Sequence, residues 1–541
     1  MQIENSFTKM IKCLICLGIL FFIGIICASI INNLDLLANG NIDPKIYFED
    51  DSFYYFKVAQ NIANTGNCSI DTLNKTNGFH PLWLLMLIPI FKFSLYNLMS
   101  YLKIIVVIQS IIYLFCLFLI YRIISNWLEW RAGLFAIIIF IYPLYSRLML
   151  NGLESGIQIF FTTLTIYLIL TFRLFEEGRE KSLFLGMLFG ILMLARLDAI
   201  FLIISFCFLM ILKLFISDNS LSNSKLFFYQ VAYTNIVAIL ITLPYFTWNY
   251  LSFGHLMPIS GYVTTDISFK SIINLPDAII NFTKMIDKFI PITTSLILSL
   301  FYIFLYIYMK ENVRLSNKFT KYFRFIEVMV WLGTGAISHI VYTLLFDKTK
   351  GYWHFSIHFI VILFGLPFLF NLFITYNEKN RILRGISFVI LIFMVLFVVN
   401  KNLKFKQGWK FGANSYKAAI WARDNMEKNA IFGMRDSGIF SFFSQRRVVN
   451  LDGVINNYEY QEYLSSGKFS EYVTKNNISY IVSCYFEKKE PIKEYELTGK
   501  LKFSAGHRIF GENSGFIYLV KEKEVYRSYV NDVPLIIFSM H

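Results

Sequence analysis

Ionisable side chains recur where the long apolar runs of this chain break. Three consecutive carboxylates, Glu49, Asp50 and Asp51, precede His80. Arg147 and Glu154 lie in SRLMLNGLESG, and Arg196 and Asp198 in LARLDAI. His255 lies in NYLSFGHLMPISG, and Lys348, Lys350 and His354 in DKTKGYWHF. These types suit two kinds of work. A carboxylate takes a proton from an incoming hydroxyl. Arg, Lys and His bind a phosphate and stabilise it as a leaving group. Each also has a plainer use: Asp51 as a helix N-cap, Arg196 with Asp198 as a pair at a tight turn, Arg147 snorkelling, His80 capping a helix before Pro81. An ionisable group at a membrane boundary is costly and more often functional than one on a soluble surface. The weight here comes from several such groups recurring on one side.

That side is set by the apolar segments. The 541 residues are 56% hydrophobic and include 57 Phe, more than a water-soluble fold can hide. Several runs reach about 20 apolar residues, the length that crosses a bilayer. The chain reads as a polytopic α-helical membrane protein. Eleven spans are expected, at 11–32, 101–121, 132–148, 156–173, 182–196, 199–216, 228–250, 290–309, 325–346, 355–375 and 385–400. The net charge of +14 reflects Lys and Arg in alternate short loops, near 122–131, 173–181, 213–227, 310–324 and 376–384. It calls for no nucleic acid partner. Those loops belong in the cytoplasm, which puts the N-terminus inside. Counting 81–93 (PLWLLMLIPIFKF) as a span would turn every basic loop outward. It is also short, so 33–100 is one large external loop and the residues above all face outward.

Within that loop, Tyr55, Val58, Ala59, Ile62 and Ala63 recur with helical spacing, and Lys57, Gln60, Asn61 and Asn64 fall opposite. The spacing predicts a helix on the bilayer surface, starting at Asp51 or Ser52 and stopping at Gly66. From 401 to 541 the composition changes. Helical stretches (Tyr416–Met426, Tyr458–Leu464, Phe469–Lys475) alternate with strand-like runs (Ala430–Met434, Val448–Leu451, Tyr480–Cys484, Gly515–Val520). This predicts an extracytoplasmic α/β domain beside a 1–400 membrane module. In it Asp436 and Asp452 read as turn residues. Cys68 and Cys484 lie in polar segments where a pair is conceivable, and no cysteine spacing suggests zinc. His339 and His358, inside spans, read as satisfied core residues.

EDDSFYYFKVAQNIANTG with TNGFHPLW, LNGLESGIQIFF, LARLDAIFL and NYLSFGHLMPISG occur in this order, before a tail with WARDNMEKNAIFGMRDSGIFSFFSQRRVVNLDGVINNYEYQEYL. In these pieces the chain resembles the membrane glycosyltransferases of the C-type (GT-C) fold that use lipid-linked phosphosugars. That superfamily includes the protein O-mannosyltransferases, the aminoarabinose transferase of lipid A and the oligosaccharyltransferase catalytic subunits. The resemblance implies an integral plasma-membrane enzyme of the cell envelope, prokaryotic by its AT-rich residue usage. Such an enzyme moves a hexose or pentose from a polyprenyl-phosphate donor to a hydroxyl of a glycan, lipid or protein acceptor, with inversion.

The same resemblance assigns roles. Asp51 is the expected base, with Asp50 beside it and Glu154 as a second acid. Arg196, His80, Lys350 and His354 are expected to contact the donor phosphate. No cofactor follows with certainty; a divalent cation, Mn or Mg, between Asp51 and Glu154 stays open. The chain departs from the family in carrying Tyr352-Trp353-His354 where many relatives have Arg-Tyr, and Glu rather than Asp at 154. A transporter or flippase of lipid-linked saccharides is the alternative, as is a polymerase or ligase. The former needs charges deep within spans, and few are present.

Overall fold

The computed structural model describes residues 23–35, 48–93, 97–216, 221–265, 290–312, 317–346, 351–376, 410–484, 495–506, 515–530 and 533–540, together with Gly18 and Phe21. The membrane part is helical: α1 (Ile23–Asp35), α2 (Asp50–Thr65), α3 (Pro81–Lys92), α4 (Leu98–Trp127), α5 (Trp130–Phe140), α6 (Pro143–Leu150), α7 (Ser155–Phe172), α8 (Arg179–Ala195), α9 (Ile200–Ile216), α10 (Leu221–Phe253), α11 (Ile259–Thr264), α12 (Ile290–Asn312), α13 (Asn317–Leu345) and α14 (Ser356–Tyr376).

Among the described residues, 7 helices are long and apolar enough to span a membrane. They become 8 if α5 and α6, bent by 68° at their junction, count as one. This is an integral membrane protein. The eleven expected spans are therefore not all met. The run 132–148 is broken where Pro143, which lacks an N–H, starts a new helix. The run 182–196 is a helix of 17 residues, and 385–400 lies outside the described residues. At 12 residues, α3 rises roughly 18 Å, short of the hydrocarbon core.

The C-terminal region follows as α15 (Lys410–Asn425), β1 (Ile431–Met434), α16 (Gly438–Ser444), β2 (Arg447–Asn450), α17 (Tyr458–Ser465), α18 (Phe469–Lys475), β3 (Tyr480–Cys484), β4 (Lys500–Ser504), β5 (Phe516–Val520), β6 (Glu524–Val530) and β7 (Val533–Ser539). Five strands form one sheet in the order β2-β1-β3-β7-β6. β1 runs parallel to β2 and β3, while β7 is antiparallel to β3 and β6. β4 and β5 make a separate antiparallel pair. Cys68 is a free thiol that donates to the Thr76 carbonyl at 3.3 Å, so the pairing weighed with Cys484 is not formed.

The helix at Asp50 corrects an expectation. It ends at Gly66 as its pattern predicts, but its N-cap is Glu49. Its expected polar face is covered by protein rather than open to solvent. Lys57, Gln60 and Asn61, on the expected polar face, are buried. The reason is a second cover. Phe53 and Phe56 pack on Phe442 of α16, with ring centroids 5.6 and 6.1 Å apart. Tyr54 is buried against Asp452, and Asn61 donates to the Ser69 and Ile70 carbonyls of its own loop. Burial lowers the pKa of Lys57 to about 8, and its ammonium is held by Gln60 at 3.2 Å. A helix polar on one face is thus used as a core element between the bundle and the C-terminal region.

Candidate active site

The first turn of α2 gathers the groups singled out above. Glu49 closes one side: its Oε1 accepts from Arg147 Nε at 3.0 Å and Nη2 at 2.5 Å, and from the Tyr352 hydroxyl at 2.9 Å. Arg147 also lies over the Tyr352 ring, 4.2 Å from its centroid. So Arg147 is fixed by a specific pair rather than snorkelling. The close approach of α2 to the LNGLESG loop depends on Gly152, at φ +80°, because a Cβ there would meet Ser52 and Phe56.

Asp50 turns the other way. Its two oxygens accept the Gly438 and Ile439 amides of α16, each at 2.9 Å. Next to it the Tyr54 hydroxyl donates to Asp452 Oδ2 at 3.1 Å and accepts from the Ser437 amide at 3.1 Å. Asp452 Oδ2 also receives the Asp436 amide at 2.9 Å. Asp436 sits at φ +46°, a conformation that short polar side chains tolerate best. The loop 435–439 is thereby stitched to the start of α2.

Asp51 lies between these two sets. It is half-buried, and among the described residues its carboxylate has no hydrogen-bond or ion-pair partner. Burial pushes its pKa well above the usual carboxylate value, and the charges of Asp436, Asp452, Glu49 and Glu154 push the same way. Asp50 is also raised, by burial first and then by Asp436, against the opposing pull of its two amides.

The cationic groups form a second, connected cluster. Arg196 is 3% exposed. Its Nη1 donates to the Trp353 carbonyl at 2.5 Å and its Nη2 lies 3.2 Å from His354 Nδ1. Its Nε is 3.0 Å from Asp198 Oδ2 and its Nη1 3.6 Å from Glu154 Oε1. Gln158 holds the other Asp198 oxygen at 2.6 Å and accepts from Ser356. His80 Nδ1 accepts the Leu197 amide at 3.3 Å, and its Nε2 is 3.8 Å from Glu154 Oε1. The Tyr55 hydroxyl accepts the His80 amide at 3.0 Å. Burial lowers the pKa of His80, which keeps the ring neutral.

Asp51, Asp50, Glu154, Arg196, His80 and His354 thus come together, while Lys350 lies outside the described residues. Glu154 lies against Arg196 and His80. Among the described residues no three His, Cys, Asp or Glu side chains converge as a metal ligand set. His255 stands apart, stacked on Tyr458 with ring centroids 4.0 Å apart. His339 and His358 face each other at 3.3 Å, with Ser295 on His358 at 2.6 Å, as partnered core residues. Tyr54, Tyr55 and the acids of the 435–452 turn are the groups that sequence reasoning did not place here. Tyr55 was counted only as one of an apolar face, and Asp436 and Asp452 only as turn residues.

Residues 402–520 match a family described as Domain of unknown function (DUF8728). This is less than half of the chain, and strands β6 and β7, which complete the sheet, lie beyond it. No curated protein matches the sequence. Solved structures do match. ArnT from Cupriavidus metallidurans bound to undecaprenyl phosphate aligns over 96% of this chain and 98% of its own, at TM-score 0.52 and 11% identity. The oligosaccharyltransferase of Archaeoglobus fulgidus in its apo form aligns over 96% and 75%, at TM-score 0.50 and 13% identity. This chain has the C-type glycosyltransferase membrane fold. At these identities the likeness is one of fold. In this C-type fold the acidic turn of α2 contacts the C-terminal region through Asp50 and Tyr54, while the cationic cluster is built within the membrane part.

Proposed function

We propose that the chain is an inverting glycosyltransferase. It moves a sugar from a polyprenyl-phosphate donor to an acceptor hydroxyl at the extracytoplasmic membrane face. Residues 1–400 are its membrane module, with 33–100 the first external loop, and 401–541 its extracytoplasmic domain. The observation that carries this reading is the Asp51 carboxylate, without a hydrogen-bond or ion-pair partner among the described residues, near a cationic cluster built on Arg196. The positive-inside count supports the orientation.

The reaction is a single displacement. The acceptor oxygen attacks the anomeric carbon, its proton passes to Asp51, and the bond to the lipid phosphate breaks with its electrons going to phosphate. A free Asp near pKa 3.9 is a weak base for a hydroxyl. Burial and four neighbouring acids raise Asp51 above that value, which narrows the gap. On the leaving side, Arg196 is satisfied by protein groups. It serves as a fixed charge behind the His354 imidazole. With Nδ1 of His354 accepting from Arg196, that ring carries its proton on Nε2 as an N–H for the phosphate, while Nε2 of His80 faces Glu154 at 3.8 Å.

The test is transfer by purified protein from a panel of radiolabelled polyprenyl-phosphate sugars, with Asp51→Asn in parallel. Turnover by wild type and none by the variant supports the assignment. Normal turnover by Asp51→Asn removes the proposed base.

A further inference from the structure

The ends of the spans opposite the acidic cluster enclose a cavity of about 530 Å³. The helices themselves fix this placement. α7 begins beside Glu154 and ends just before Phe175, and α9 begins beside Asp198 and runs past Lys213. At 1.5 Å per residue each separates its ends by roughly 25 Å. The charged wall of the cavity is Glu176, Glu177, Lys213, Lys310, Arg324 and Glu327. The rest is aromatic: Phe175, Phe227, Tyr306 and Phe323.

The charges are arranged in pairs. Lys213 Nζ lies 2.9 Å from Glu327 Oε1, with side chains only 13% and 11% exposed, and donates to the Phe175 carbonyl at 3.0 Å. Arg324 Nη2 lies 2.8 Å from Glu176 Oε1. Ion pairs enclosed in a membrane bundle carry a desolvation cost and mark polar functions more often than surface pairs do. Lys310 and Glu177, exposed on the wall, have no ion-pair partner among the described side chains. Three cations, Lys213, Lys310 and Arg324, face three carboxylates, Glu176, Glu177 and Glu327, so the formal charge of the wall cancels.

That balance selects a ligand class. A purely anionic headgroup would meet as many carboxylates as cations. A headgroup with a phosphate and an ammonium a few bonds apart meets each with its opposite. At the same helix ends Phe215, Phe228 and Tyr308 are 82%, 70% and 52% exposed, an apolar surface for acyl chains. We propose that this cavity binds the headgroup of a zwitterionic glycerophospholipid of the phosphoethanolamine class. Lys310 and Arg324 take the phosphate, and Glu177 and Glu176 take the ammonium. The site is separate from the proposed transfer reaction and does not depend on it.

The test uses the full chain, delipidated in detergent. The probes are short-chain phosphatidylethanolamine, phosphatidylglycerol with the same chains, and glycerophosphoethanolamine without chains, with binding read by calorimetry. The expected result is saturable binding of phosphatidylethanolamine, at least about tenfold tighter than either other probe. Loss of one charged contact weakens binding by about tenfold or more, so Glu177→Gln and Lys310→Gln each weaken it to that extent. Both positions are exposed, and an unchanged ligand-free melting temperature verifies their folding. Equal affinity for phosphatidylglycerol overturns the headgroup class. Equal affinity for glycerophosphoethanolamine overturns the lipid source, and undiminished binding by both variants overturns the site.

Discussion

Asp50 and Gly438 are joined twice: the Asp50 carboxylate accepts the Gly438 amide at 2.9 Å, and the Asp50 carbonyl oxygen fills the space that a Cβ on Gly438 would need. Gly438→Ala therefore forces the loop and α2 apart. The expected loss is about 1–3 kcal/mol, the usual range for overpacking, read by thermal unfolding in detergent. Asp50→Ala removes two charge-assisted bonds and costs about 3 kcal/mol. If both variants unfold like wild type, the clasp has no energetic weight.

Asp51→Asn keeps the shape of the side chain and removes its basicity. The site should remain folded while transfer falls by about 10²–10⁴, the range for general-base removal. Rates from a polyprenyl-phosphate sugar, measured beside a far-ultraviolet spectrum of each protein, check this.

The raised pKa of Asp51 has a sign in both activity and stability. Transfer needs the carboxylate, so its rate should rise with pH through a midpoint above the usual value of 3.8. Stability runs the other way. Folding favours the protonated acid, so this contribution is present below pH 3.8 and is lost as pH rises through the raised folded value. Asp51→Asn should accordingly be more stable than wild type at neutral pH, with the difference closing on acidification. Melting temperatures across the pH range test it; a less stable variant at neutral pH contradicts it.

Arg196 makes contacts that diverge to Trp353, His354 and Asp198. A lysine cannot reach all three, so Arg196→Lys should free the His354 ring. We expect the donor KM to rise about tenfold, the effect of one lost charged hydrogen bond. The pH midpoint should hardly move, because Arg196 does not touch Asp51. Saturation kinetics separate the two effects.

The sequence made local features readable and tertiary ones not. Gly66 ends α2 where its pattern stops, and the C-terminal strands Ile431–Met434 and Tyr480–Cys484 lie where short apolar runs predict them. Strands β4, β6 and β7 were missed. β6 (EVYRSYV) carries charge within its run, and β7 takes its place by pairing with both β3 and β6. The polar face of α2 has the period of a surface helix, and nothing local signals that a second region covers it. The acidic run from Glu49 to Asp51 is visible in the sequence, but Asp436, Asp452 and Glu154, whose charges act on Asp51, lie far along the chain. The partner of Asp50 lies 388 residues away, beyond the reach of any spacing rule.

That separation has a consequence for how the protein is made. Ribosomes add roughly 5–20 residues per second, so α2 emerges roughly 20–80 s before the loop that receives Asp50 and Tyr54. During this interval Lys57, Gln60 and Tyr54 wait without the cover that later encloses them. The acidic turn reaches its final surroundings only at the end of synthesis. A chain stopped short of residue 438 would lack the amides that bind Asp50, so assembly itself delays completion of the acidic turn until that part of the polypeptide is made.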